Sequence, residues 1–366
     1  MKNKLIILAS VLVMVFIAGA IWYYLQPVEI RDVLASELFS SSDTPEATAG
    51  VVSKASVQEV SEENKDASEE SAYMNIETLD DFGKEKWNEG PVMYEGKVYK
   101  FNNDLQNYLI LGIDNDNIVA PAEDGISGGQ SDGMFLLSLD NAKRKISVIA
   151  INRNTMVPVD VYDREGNFLL QMNLQICLQH GYGDGMKLSC MRSVEAVDRL
   201  FHGIPISGYM SLNMGGLPAV NDAVGGVAIT PIESVERGDV VINAGEPVVL
   251  NGEQAYAYLR TRDTDKFASA DDRLKRQEQY IKSFIRKLMA DPGLANKVYE
   301  SGKDYLVASI DLPRLIENSK DMTFDDSDFY TIDGETVLKD DFECYNIDES
   351  ALIRLILNVF YEETDV

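Results

Sequence analysis

From Leu5 to Leu25 the chain reads LIILASVLVMVFIAGAIWYYL, without a single charge. At about 1.5 Å per residue, a helix of that length matches a bilayer hydrocarbon core of about 30 Å. Lys2 and Lys4 precede it and an acidic stretch follows, so the positive-inside rule places the short N-terminus in the cytoplasm. Trp22, Tyr23 and Tyr24 suit the outer interface. A cleaved signal peptide is the competing reading, encouraged by Ala18, Gly19 and Ala20. The run is longer than an ordinary signal core, however, and it continues past those small residues. Both readings export the remainder. We expect residues 1–26 to be a cytoplasmic stub and single-pass anchor in the cell membrane, with everything beyond them extracytoplasmic.

Residues 27–90 are rich in Ser, Glu, Asp, Ala and Thr, and in this stretch acids outnumber bases roughly three to one. Such a segment cannot bury enough apolar surface to offset its ordering entropy, so it reads as an acidic flexible stalk. The formal net charge of -27 over 366 residues argues against a nucleic-acid partner, because phosphate backbones are bound through Lys and Arg. Cys177, Cys190 and Cys344 form neither a metal spacing nor a disulfide-dense scaffold. Cys177 and Cys190 are near enough in sequence to pair in an oxidising compartment, and free buried cysteines are the alternative. His180 and His202 lie in no zinc or triad motif.

Folding is expected to start near Val92, with a hairpin turning at Glu95 and Gly96. NYLILGID, GMFLLSLD and KISVIAI are short apolar runs rich in β-formers, the pattern of buried strands. SCMRSVEAVDRLF reads as a helix, ISGYMSLN as a strand, GGLPAVNDAVGG as a short helix between glycine stops, and GVAIT as a strand. GEQAYAYL reads as a helix ending near Arg260. A long helix follows Asp271, where Leu274, Ile281, Phe284, Ile285 and Leu288 form one stripe, and Gln277 falls on it. Strands alternating with helices indicate an α/β fold, a three-layer sandwich with a central mixed sheet flanked by helices. We assign 91–291 to this domain and 292–366 to a C-terminal helical segment that completes or caps it.

One feature runs against the overall charge. LRTRDTDKFASADDRLKRQEQ gathers Arg260, Arg262, Arg273 and Arg276, with Gln277, around the junction of two predicted helices. A return of the chain there would bring these polar heads together, and guanidinium forks bind phosphate oxygens bidentately. The bland reading is a set of surface ion pairs, each worth little. Asp114 and Asp132 shift the balance. They flank adjacent strand ends, as a magnesium site made of one or two carboxylates plus substrate phosphates requires. Arg153 closes the third strand, and such strand ends are where α/β sheets bind ligands. GISGGQSDG lacks the Gly-Lys-Ser/Thr ending of a P-loop.

The ordered series LGID, SDGMFLL, ISVIAINRNT, HGYGDG, VNDAVGGV, LNGEQAYAYLRTR and DDRLKRQ resembles the LytR-CpsA-Psr family of cell-wall ligases, over about Asn107 to Leu288. The resemblance implies a membrane-anchored enzyme that transfers a glycopolymer, such as teichoic acid or capsule, from a polyprenyl-diphosphate carrier to peptidoglycan. The lipid would lie in an apolar tunnel, with magnesium at the diphosphate. Position by position, it implies metal-associated carboxylates at Asp114 and Asp132. It implies a diphosphate clamp of Arg153, Arg260, Arg262, Arg273, Arg276 and Gln277, with Asp132, Arg153, Arg262 and Arg273 carrying catalysis. Asp132 and Asp271 are the candidate proton acceptors. The chain departs from the family pattern at Gln130, usually arginine, and at Asn154, usually aspartate. The motif lysine has no clear counterpart, Gln175 being the nearest. These departures keep open a non-catalytic binder of polyprenyl (di)phosphate or a regulatory envelope protein.

Overall fold

The computed structural model describes residues 74–82, 90–263 and 265–364. The expected anchor and most of the expected stalk lie outside the described residues. Among the described residues no helix is long and apolar enough to cross a membrane.

The three apolar runs are neighbouring strands, β1 (Leu105–Ile113), β2 (Ser131–Asp140) and β3 (Lys145–Ala150). They form the centre of a six-stranded sheet with β6 (Gly208–Asn213), β7 (Leu306–Ala308) and β8 (Phe329–Thr331), in the order β7-β6-β1-β2-β3-β8. β1 is antiparallel to β2 and parallel to β6; β2 is antiparallel to β3, and β3 is parallel to β8. The sheet is therefore mixed, as expected.

Alternation along the strands divides the core into two faces. Leu109, Leu111, Ile113, Met134, Leu136 and Ile149 point to one face. There they pack against α1 (Lys187–Leu200) and α6 (Glu349–Phe360). Phe135, Leu139, Ile146 and Val148 point to the other, toward α3 (Ser269–Ala290). Helices thus cover both faces of the sheet. α2 (Gly252–Arg260) begins with a capping box in which the Asn251 side chain and Gln254 satisfy each other's backbone N–H groups. α3 starts after Ala268, which adopts φ 58, a left-handed conformation costing a non-glycine residue about 1–2 kcal/mol.

Three departures from expectation have physical reasons. Order begins before Val92: Met74–Asn75 pairs in parallel with Val92–Tyr94, because Ile76 and Leu79 supply two buried apolar side chains inside an otherwise acidic stretch. The hairpin at Glu95 and Gly96 forms as expected, with φ values of 50° and 78°. Residues after Pro292 contribute strands as well as the helices α4 (Leu294–Gly302), α5 (Leu312–Ser319) and α6. β7 and β8 are the two edges of the central sheet, so this segment completes it. Finally, a hairpin of β4 (Met156–Tyr162) and β5 (Phe168–Gln175) stands where no strands were read, and a second joins β9 (Gly334–Lys339) to β10 (Phe342–Ile347). Cys177 and Cys190 are both buried and unpaired, so no disulfide joins them.

Candidate active site

β2 runs antiparallel to both neighbours, so its first residues lie at the same edge as the last residues of β1 and β3. The β1–β2 register shifts there: Gly112 faces Gly133 and Ile113 faces Ser131, leaving Asp132 unopposed. Such a bulge re-aims a side chain out of the regular alternation. The Asp132 carboxylate is 2.7 Å from Arg273 Nη1, 2.8 Å from Arg153 Nη1 and 3.9 Å from Arg260 Nη1. Arg153 comes from the turn after β3, Arg260 from the end of α2, and Arg273 from the first turns of α3. The junction of the two helices and the strand edge therefore meet on one carboxylate.

Burial pushes Asp132 up, but Arg273, Arg153 and Arg260 together outweigh it and hold the carboxyl below its ordinary value. Burial and the neighbouring Arg153 and Arg262 pull Arg273 down, against the attraction of Asp132. One carboxylate cannot satisfy this many guanidinium donors. Arg153 Nε, Arg260 Nη1 and Arg273 Nη2 are buried without a hydrogen-bond acceptor. Arg262 is half-buried, and among the described residues its side chain makes no ion pair or hydrogen bond. Uncovered donors of this kind are suited to an oxyanion bearing several oxygens.

The other two expected clamp residues face inward. Arg276 spends its guanidinium on the Tyr258 carbonyl at 2.7 Å, the Thr261 carbonyl, and Glu233 at 2.6 Å. It fastens the C-terminal end of α2, whose last carbonyls have no partner within the helix. Gln277 reaches the Asp132 carbonyl at 3.4 Å and the Leu259 carbonyl at 3.5 Å. Asp114 follows β1, and its Oδ1 accepts the Gln130 backbone N–H at 2.7 Å. Among the described residues no three His, Cys, Asp or Glu side chains cluster as metal ligands. Asp114 and Asp132 are the two carboxylates at this edge that could serve a magnesium ion, which takes one or two carboxylates from a protein and further oxygens from substrate phosphates. Asp271 accepts from Asn152 at 2.6 Å and from the Thr336 hydroxyl at 2.8 Å.

The sequence did not reveal the neighbours of the departing residues. The Gln130 side-chain oxygen accepts from Arg153 Nη2, which also lies 3.0 Å from Cys177 Sγ. Burial pushes the Cys177 thiol up, so it stays protonated beside the arginine. Asn154 donates to Glu343 Oε2 at 3.4 Å and Gln175 donates to the Glu343 carbonyl at 2.6 Å.

Below this cluster lies an apolar cavity of about 280 Å³, between the sheet and α3, α4 and α5. Phe135, Leu137, Val148, Ile281, Phe284 and Leu288 line it. Gly133 and Gln277, beside Asp132, also belong to its wall, and so do Ser319 and Lys320 at the end of α5. Gly133 and Gln277 thus link the cluster around Asp132 to the apolar chamber.

A model of the LytR_cpsA_psr family matches residues 53–356. The chain belongs to the LytR_cpsA_psr family. Among curated relatives, it is 24% identical over 270 residues to the polyisoprenyl-teichoic acid–peptidoglycan teichoic acid transferase TagU of Enterococcus faecalis, covering 69% of this chain and 78% of that protein. It is 30% identical over 191 residues to the protein of the same name from Oceanobacillus iheyensis, a match covering 52% of this chain and about half, 53%, of the relative's length. The fold is similar to the crystal structure of a Streptococcus agalactiae protein, with a TM-score of 0.56 at 20% identity, covering 70% of this chain and 86% of the other.

Proposed function

We propose that this family member is a membrane-anchored, extracytoplasmic phosphotransferase. It moves a glycopolymer from a polyprenyl-diphosphate carrier to a sugar hydroxyl of peptidoglycan. The observation that carries this reading is the set of buried guanidinium donors without acceptors, on Arg153, Arg260 and Arg273, beside an apolar cavity. A diphosphate attached to a long hydrocarbon satisfies both. The relatives named as polyisoprenyl-teichoic acid transferases support the same substrate class.

In the proposed reaction the acceptor hydroxyl attacks the polymer-bearing phosphorus. A new P–O bond forms, the bond to the second phosphate breaks, and polyprenyl phosphate leaves, the hydroxyl proton passing through solvent to the departing phosphate. Arg153, Arg260, Arg262 and Arg273 bind the diphosphate and neutralise charge as it builds on the departing oxygen. Asp114 and Asp132 would hold magnesium, which when bound adds positive charge at the diphosphate. Asp132, held below its ordinary value by three arginines, orders the clamp and is poorly suited to take the hydroxyl proton. Asp271 is engaged by Asn152, in the turn after β3, and by Thr336 of β9, and so anchors the start of α3 to both.

The test uses the full-length chain in detergent with a polyprenyl-diphosphate oligosaccharide, magnesium and a peptidoglycan oligomer, read by mass spectrometry. The linked product should appear with wild type and be lost in Arg262→Ala. Binding of the lipid without any product, with or without acceptor, would reduce the protein to a carrier-holding one.

A further inference from the structure

The segment between Arg262 and α3 is fastened to the β9–β10 hairpin by one carboxylate. Glu343, in β10, accepts the Ala268 backbone N–H at 2.8 Å through Oε1 and the Asn154 side-chain amide at 3.4 Å through Oε2. Its main-chain carbonyl accepts from Gln175 at 2.6 Å. Two of the three positions at which this chain departs from the family pattern therefore meet on one residue. The left-handed turn at Ala268 comes immediately before α3, and an anion there also faces the positive end of the helix.

The rest of the hairpin grips the same surroundings. Thr336 and Tyr345 are directly opposed across it. The Thr336 hydroxyl donates to Asp271 at 2.8 Å, and the Tyr345 N–H donates to the Asn154 carbonyl at 2.8 Å. Hence the hairpin ties the first turn of α3 and Ala268 to the turn that carries Arg153. At its other end, the Arg262 segment is pinned by Arg276 at the Thr261 carbonyl. Arg262 stands between these two pins with no side-chain partner among the described residues, so its placement depends on its backbone anchors.

We propose that Glu343 is a positioning residue for the diphosphate clamp, setting Arg262 against Arg153 through Ala268 and Asn154. This deepens, and rests on, the phosphotransferase reading. It also explains why an amide suits position 154: a carboxylate there would place two anions 3.4 Å apart, which destabilises both ionised forms.

The experiment compares full-length wild type, Glu343→Ala, Asn154→Asp, the double variant Asn154→Asp/Glu343→Gln, and Glu343→Ala in an Arg262→Ala background. Hydrogen exchange of residues 265–268 and calorimetric binding of geranyl diphosphate are the two readouts. Exchange should quicken and affinity fall by about tenfold in both single variants, the scale of one lost charge-assisted hydrogen bond. The double variant should regain most of both, because the amide introduced at position 343 can accept from Ala268 and donate to the carboxylate introduced at position 154. In the Arg262→Ala background, Glu343→Ala should weaken binding no further. Unchanged exchange in Asn154→Asp, a double variant no better than the single, or full additivity with Arg262→Ala would each overturn the proposal. If wild type binds no geranyl diphosphate, the diphosphate reading falls, and the exchange comparison still decides whether Glu343 pins the segment.

Discussion

Asp132 is surrounded by more positive charge than it can neutralise, and that imbalance is the site's main physical property. Its carboxylate keeps Arg153, Arg260 and Arg273 together at a strand edge, where their mutual repulsion would otherwise drive them apart. In the proposed reading, a bound diphosphate would supply the missing anion. His180 plays a quieter part beneath the same loop. It is fully buried, with Nδ1 3.1 Å from the Gly129 carbonyl, and burial lowers its affinity for a proton below the usual 6.5. The unfolded chain therefore takes up a proton first as pH falls. The stability His180 contributes is present above about pH 6.5 and is lost below it. We expect wild type to lose thermal stability between pH 7.5 and 5 more steeply than His180→Gln, which keeps an amide donor for Gly129 and does not titrate. Parallel melting curves at the two pH values check this. The residue types of the clamp were legible in the sequence because arginines gather at one helix junction. Glu343 was not, since its partners Ala268, Asn154 and Gln175 lie 75 or more positions away and no local pattern links them.

At the scale of elements, strand alternation decides which apolar residues are core and which line the cavity. In the run MFLLSL, Met134 and Leu136 pack under α1 and α6, whereas Phe135 and Leu137 face the cavity. The stripe Ile281, Phe284 and Leu288 on α3 forms the opposite wall. A cavity with this lining is costly unless something fills it, since missing contacts are lost outright. Leu288→Trp should occupy part of that space and so leave the melting temperature unchanged or raised. At the same time it should reduce transfer from a long-chain polyprenyl donor at least tenfold, while binding of geranyl diphosphate stays near wild type. Paired measurements with the long and short lipids separate blocked lipid entry from a damaged clamp. The helices and central strands could be read because their 3.6- and 2-residue periods are strong. The β4–β5 hairpin escaped because Pro158 interrupts one run, and because Phe168, Leu169, Leu170 and Met172 of the other are exposed rather than alternately buried.

For the whole molecule, the question is whether residues 292–366 are an accessory or part of the fold. The sequence leaves both open, a helical segment that completes the domain or one that caps it, since no strand signal stands out there. Three facts argue for inclusion. β7 and β8 form both edges of the central sheet, and the final strand Tyr361–Thr364 pairs with Lys97–Phe101 near the start of the domain. α6 also places Leu352, Ile353, Ile356, Leu357 and Phe360 in the core, each 3% exposed or less. Burying five such side chains contributes on the order of 10 kcal/mol. That equals the entire net stability of an ordinary domain, about 5–15 kcal/mol. A chain ended at Asp291 would uncover the part of one sheet face on which α6 packs and leave two unpaired edges, which are templates for aggregation. It should therefore be insoluble or lack a cooperative melting transition, while a chain ended after Thr364 should melt as the full-length protein does. A soluble, cooperatively melting fragment ending at Asp291 would show instead that the sheet is stable without its edge strands, and that the C-terminal segment merely covers a finished core.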